Sequence, residues 1–109
     1  MFVLAPEADI TGTSYTTEIY IKPKQLRDMF GEPEACDGYK VSGNYTFKDW
    51  EDNVITLYDW KATNLYNDGC PTPEEFWNGD QLQELHIGSA GAEAGKRFKD
   101  ILESITELP

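Results

Sequence analysis

Val54 to Lys61, VITLYDWK, is apolar on two sides at once. In extended backbone successive side chains point to opposite faces, so Val54, Thr56, Tyr58 and Trp60 share one face, while Ile55, Leu57 and Asp59 share the other. β-Branched and aromatic residues dominate both sets, which suits a strand. A strand that must bury both faces belongs at the centre of a sheet, with a helix over one side and aromatic side chains over part of the other. Its expected hairpin partner is Tyr39 to Phe47, YKVSGNYTF, in which Gly43 marks a bulge or a close approach of another backbone.

The rest of the chain supplies the elements to complete such a layer. Thr13 to Ile21 alternates, with Tyr15, Thr17, Ile19 and Ile21 facing one way and Thr16, Glu18 and Tyr20 the other, a half-buried strand. Pro23 opens a short helix that Gly31 closes, and turn signals at Glu32-Pro33 and Asp37-Gly38 lead into the hairpin. KDWEDN makes the hairpin loop. TPEEFW places Thr72 as N-cap, Pro73 at the first helical position and Glu75 three residues after the cap, a capping box over one or two helical turns. Gln83 to Ile87 is a short fourth strand. Ala94, Phe98, Ile101, Leu102, Ile105 and Leu108 recur at helical spacing and form one apolar stripe. The order implies an α+β domain, an antiparallel sheet of about four strands with the C-terminal helix packed on one face and two short helices in connections. Residues 1–12 are expected as a loose arm on this one domain.

The 109 residues suffice for one core, and three Trp, six Tyr and five Phe offset the modest aliphatic content. At 39% hydrophobic the chain is expected to fold despite a net charge of −11. That charge is concentrated. Residues 32–84 carry twelve acids against Lys40, Lys48 and Lys61, a balance of −9, while the segments on either side sum to −1 each. Such a field repels nucleic-acid phosphates and anionic lipid and attracts basic protein surfaces, although acidity also serves solubility. MFVLAPEAD has no basic stretch and only a short apolar run, and no segment is long enough to span a membrane, so a cytoplasmic protein is expected. Cys36 and Cys70 have no metal-like spacing; they would pair in a secreted protein, and two free thiols are expected without an export signal.

No catalytic, cofactor or metal signature accompanies these elements. His86, the one histidine, has no nucleophile placed beside it by any known pattern, so a structural or surface role is expected. GSAGAEAGKR, Gly88 to Arg97, superficially suggests phosphate binding, but Ala90 stands where the phosphate loop needs its first glycine and Arg97 where it needs a hydroxyl. The expected role is a close turn with Ser89 or Gly91 as a helix cap. Asp49, Glu51 and Asn53 have the opening alternation of a calcium loop, yet Val54 replaces its glycine and Trp60 its glutamate. Tyr39, Tyr45, Tyr58, Trp60, Phe76 and Trp77 are expected in the core, and Trp50 and Tyr66, set among acids, on the surface.

FGEP, YDWK, PTPEEFW and HIG, in that order over roughly residues 26–88, resemble segments of small uncharacterised bacteriophage proteins. In size, acidity and lack of catalytic groups the chain also resembles phage inhibitors of bacterial defence, of the anti-CRISPR and DNA-mimic anti-restriction classes. The likeness implies a non-enzymatic acidic module that docks on a basic, nucleic-acid-binding surface of a host protein, in the host cytoplasm, without binding nucleic acid itself. The residues expected at such a contact are Asp49, Trp50, Glu51, Asp52, Asp59, Tyr66, Asp68, Glu74 and Glu75. The alternatives are an accessory subunit whose acidity serves solubility and, third, a small-molecule enzyme.

Overall fold

A computed structural model describes residues 2–35 and 38–106. In chain order the elements are β1 (Phe2–Leu4), β2 (Ser14–Ile21), α1 (Pro23–Phe30), β3 (Asn44–Asp49), β4 (Val54–Tyr58), α2 (Pro73–Trp77), β5 (Gln83–Ser89) and α3 (Ala92–Thr106). The strands form one antiparallel sheet in the order β1-β3-β4-β5-β2, so the doubly apolar strand β4 lies at its centre, as its pattern requires. This is the α+β class, with five strands where four were expected. No helix among the described residues is long and apolar enough to cross a membrane.

The fifth strand comes from the expected arm. Phe2–Leu4 pairs with Phe47–Asp49 at the sheet edge, and the Ala5 N–H extends the pairing by donating to the Thr46 carbonyl at 2.8 Å. The Phe2 ring lies 4.6 Å from Phe98 and 5.1 Å from Phe47 between ring centres, so burial of one aromatic anchors a strand too short for an alternation to reveal.

Under the sheet, Ile19, Ile21, Tyr45, Phe47, Ile55, Leu57, Leu85 and Ile87 meet Phe98 and Leu102 of α3, with Leu26, Phe76 and Trp77 of the short helices closing one end. α3 turns a narrower face inward than its stripe suggested. Ala94, Gly95, Phe98 and Leu102 are buried, Ile101 is half-buried and Ile105 is 50% exposed. The end of the expected stripe, Leu108, lies outside the described residues, as does Cys36 of the two thiols. The helix settles on the Gly95 side because an added Cβ there would stand 2.7 Å from Thr16 Cγ2 and 2.8 Å from Ser89 Oγ. Contact that close lets the helix reach β2 and β5 together. The small residues of Gly88 to Arg97 thus serve helix–sheet packing, and Ser89 Oγ donates to the Gly91 carbonyl at 2.6 Å.

The local signals for α1 and α2 hold. Gly31, at φ 84°, closes α1 through its N–H to Arg27 O, and Thr72 and Glu75 form the reciprocal capping box of α2. β3, in contrast, begins at Asn44 rather than Tyr39 and runs on to Asp49. The cause is Asp59, whose carboxylate draws Ser42 and Gly43 out of strand pairing. Gly43 is obligatory there for a different reason than a bulge: a Cβ would meet Trp77 Nε1 at 2.9 Å and Pro33 at 3.0 Å.

Candidate functional site

The nine residues expected at a partner contact fall at opposite ends of β4, and the fold uses several of them internally. Asp49, at the start of the β3–β4 turn, accepts from Glu51 N, Asn53 N and Asn53 Nδ2 at 2.9–3.0 Å. Burial alone would raise its pKa, but those bonds and Arg97 outweigh it and hold the carboxyl below its ordinary value. Arg97 of α3 clasps the same turn. It pairs with Glu51 at 2.7 Å and Asp49 at 3.6 Å, and its guanidinium sits 5.0 Å from the centre of the Trp50 ring. Of the four expected contact residues at this end, Asp52 is exposed with no side-chain partner among the described residues, and Trp50 is exposed with Arg97 against its ring.

At the other end Asp59 is fully buried, which removes it from any contact surface. Oδ1 accepts from Ser42 N and Gly43 N, both at 2.9 Å, while Oδ2 takes the Ser42 hydroxyl at 2.8 Å. Burial raises its pKa, and the bonds from Gly43 and Ser42 offset part of that shift. The strand pattern carried this signal already, since Asp59 shares the inward face of Ile55 and Leu57. Glu75 is spent on the capping box, its Oε1 accepting from Thr72 N at 2.9 Å. Tyr66 lies on the surface against Tyr39 and under Lys61, and Asp68 and Glu74 are exposed. The nine do not make one acidic face.

A different surface does assemble, on the side of the sheet away from α3. The register places Tyr58, His86 and Glu18 in one row across β4, β5 and β2, with Glu84 and Tyr20 paired in the next. His86 lies within a group of rings: Tyr15 at 4.7 Å, Tyr58 at 5.8 Å and Trp60 at 6.0 Å between centres, the last nearly parallel. Tyr15 reaches this face because the register shifts between Tyr15 and Thr17. The bulge leaves Thr16 under the sheet, where its hydroxyl bonds Ser89 Oγ at 2.8 Å, and turns Tyr15 to the opposite side from Ile19. The strict alternation expected for β2 fails at that point. Trp60 and Tyr39, expected in the core, are likewise exposed.

Carboxylates lie between these rings. Tyr15 Oη donates to Glu18 and Tyr20 Oη to Glu84 at 3.1 Å, and His86 Nε2 is 3.7 Å from Glu84. The bond to Glu18 pushes the Tyr15 phenol up to about 12, and the bond to Glu84 raises Tyr20. Tyr15 is 52%, Tyr20 62% and Trp60 41% exposed. Lys40 and Lys61 stand 5.9 and 5.5 Å from the Trp60 ring centre, within the range of cation–π attraction. Aromatic faces interleaved with carboxylates suit cations. They suit phosphates poorly. Glu18, Glu84 and Tyr15 were not among the expected contacts because each strand alone reveals only alternation, and their convergence needs the β2–β5 and β4–β5 registers. No protein-family model matches the chain, and no curated protein matches it.

Proposed function

We propose that this chain is a non-enzymatic acidic protein-binding module that docks on a basic surface of another protein through the β2–β5 part of the sheet face opposite α3. The observation that carries this role is the set of exposed rings, Tyr15, Tyr20 and Trp60, interleaved with Glu18 and Glu84 on a face that no helix covers. Exposed aromatics supply apolar anchoring at protein interfaces, and the carboxylates select lysine or arginine on the partner. The net charge of −11 adds long-range steering toward such a surface. Covering a surface that otherwise holds nucleic acid is how such a module would inhibit a host defence protein, as the likeness to phage inhibitors implies.

The test is affinity purification from bacterial lysate with mass spectrometry, comparing the wild type with Glu18→Lys/Glu84→Lys. Basic proteins are expected to be retained by the wild type, to be lost as salt rises, and to be lost from the double variant. Glu51→Lys/Asp52→Lys changes total charge equally and is the control. Equal loss from both variants would leave only overall charge at work, and loss from neither would favour the accessory-subunit role.

A further inference from the structure

We propose that the outer edge of β2 is a strand-addition site, where an extended basic segment of the partner lies along Thr17–Ile21 as a sixth strand. This rests on the docking role above and specifies the form of the docked segment. β2 ends the sheet, so the N–H and C=O groups on its outer side have no strand beside them. Among the described residues, no backbone outside the sheet bonds to residues 14–21. Edges are ordinarily blunted by proline, lysine or a bulge. Here the bulge is confined to the Tyr15–Thr17 step, and Thr17–Ile21 keeps an unbroken register with β5, with neither proline nor lysine in it. β1, the other edge, offers only three residues.

The two sides of that edge differ in chemistry. Side chains of a sixth strand would alternate between the open face, beside Glu18 and Tyr20, and the helix side. At the end of β2 lies a cleft of about 490 Å³ whose lining is apolar at Ile21 and Leu82 and polar at Lys22, Gln25, Glu103 and Thr106, with Tyr20 at its rim. Leu82 is largely exposed there. A segment that alternates basic and aliphatic residues therefore meets carboxylates on one side and, on the other, a cleft in which Ile21 and Leu82 offer apolar surface. In strand addition, main-chain hydrogen bonds supply affinity and alternate side chains supply specificity. Charge decides the occupant. A second copy of the chain would bring a further −11, whereas a basic segment is complementary to Glu18 and Glu84 along the strand and to the net charge, with Lys22 as a cation at its end.

The probes are two synthetic peptides of about eight residues, the length of a short strand. One alternates arginine with valine, and the other alternates arginine with proline, which has equal charge but cannot donate alternate main-chain hydrogen bonds. The arginine–valine peptide is expected to bind roughly tenfold tighter or more, with amides in residues 17–21 gaining hydrogen-exchange protection. Equal binding of the two peptides, without that protection, would overturn strand addition and leave charge-driven docking standing. Binding of neither would overturn the docking role itself. Self-association of the free protein with protection of the same amides would assign the edge to a second copy and overturn the basic segment.

Discussion

Replacing Asp59 separates its structural role from the contact role its acidity suggested. Asp59→Ala removes the acceptor of two backbone N–H groups, Ser42 and Gly43, in a place water does not reach. Each orphaned donor costs about 1–3 kcal/mol. The Ser42 hydroxyl oxygen still accepts from the Trp77 indole at 3.1 Å, but its own O–H loses the Asp59 acceptor; Ser42 is only half-buried, so water takes up part of that loss. Removing the carboxylate also ends its desolvation, which offsets part of the cost, so the net loss is about 2–4 kcal/mol. That is a large fraction of the roughly 5–15 kcal/mol that holds a small domain together. Asp59→Asn should be far milder, within about 1 kcal/mol, because one side-chain oxygen already accepts both backbone groups and the new amide can donate to Ser42 Oγ. The pair also predicts a pH signature. Since the folded-state pKa of Asp59 is raised above 3.8, the wild type holds its full advantage over the asparagine variant below that value and loses it as pH rises through the folded pKa. Urea unfolding of all three proteins across pH measures both effects. An alanine variant within about 0.5 kcal/mol of wild type, or a wild-type-to-asparagine difference that ignores pH, would refute the buried-acceptor account.

Gly95→Ala should destabilise although alanine favours helix by about 1 kcal/mol, because its Cβ displaces Thr16 and Ser89 and overpacking of that kind costs about 1–3 kcal/mol; a raised melting temperature would contradict the close contact. Leu102→Ala should cost about 2–5 kcal/mol and Ile105→Ala much less, since the first is fully buried and the second half exposed. Equal losses in denaturant titrations would mean that α3 packs by its whole apolar stripe. Asp49 has a lowered pKa, so its contribution should be present above 3.8 and vanish as pH falls through the folded value. An Asp49→Ala variant with the same acid-unfolding profile as wild type would exclude that contribution.

What the sequence determined is what neighbours within a few residues control. VITLYDWK has to be a central strand because both its faces are apolar. Thr72, Pro73 and Glu75 specify the start of α2 through bonds that close within one turn, and Gly31 ends α1 by adopting a φ that other residues avoid. The inward position of Asp59 was also legible, from its alternation with Ile55 and Leu57. Its partners were not, because Ser42 and Gly43 lie on another segment and meet it only once β3 and β4 pair. β1 escaped for a related reason: three residues carry no period, and its strand conformation is enforced by β3 alongside it and by Phe98 and Phe47 around Phe2. The docking face depends on tertiary structure most of all. A one-residue bulge reverses Tyr15, the β2–β5 register sets Glu18 beside His86, and the placement of α3 on the Gly95 side leaves the β2–β5 part of the opposite face free of helix. Each of these follows from pairing between residues far apart in the chain, whose energies no local pattern contains.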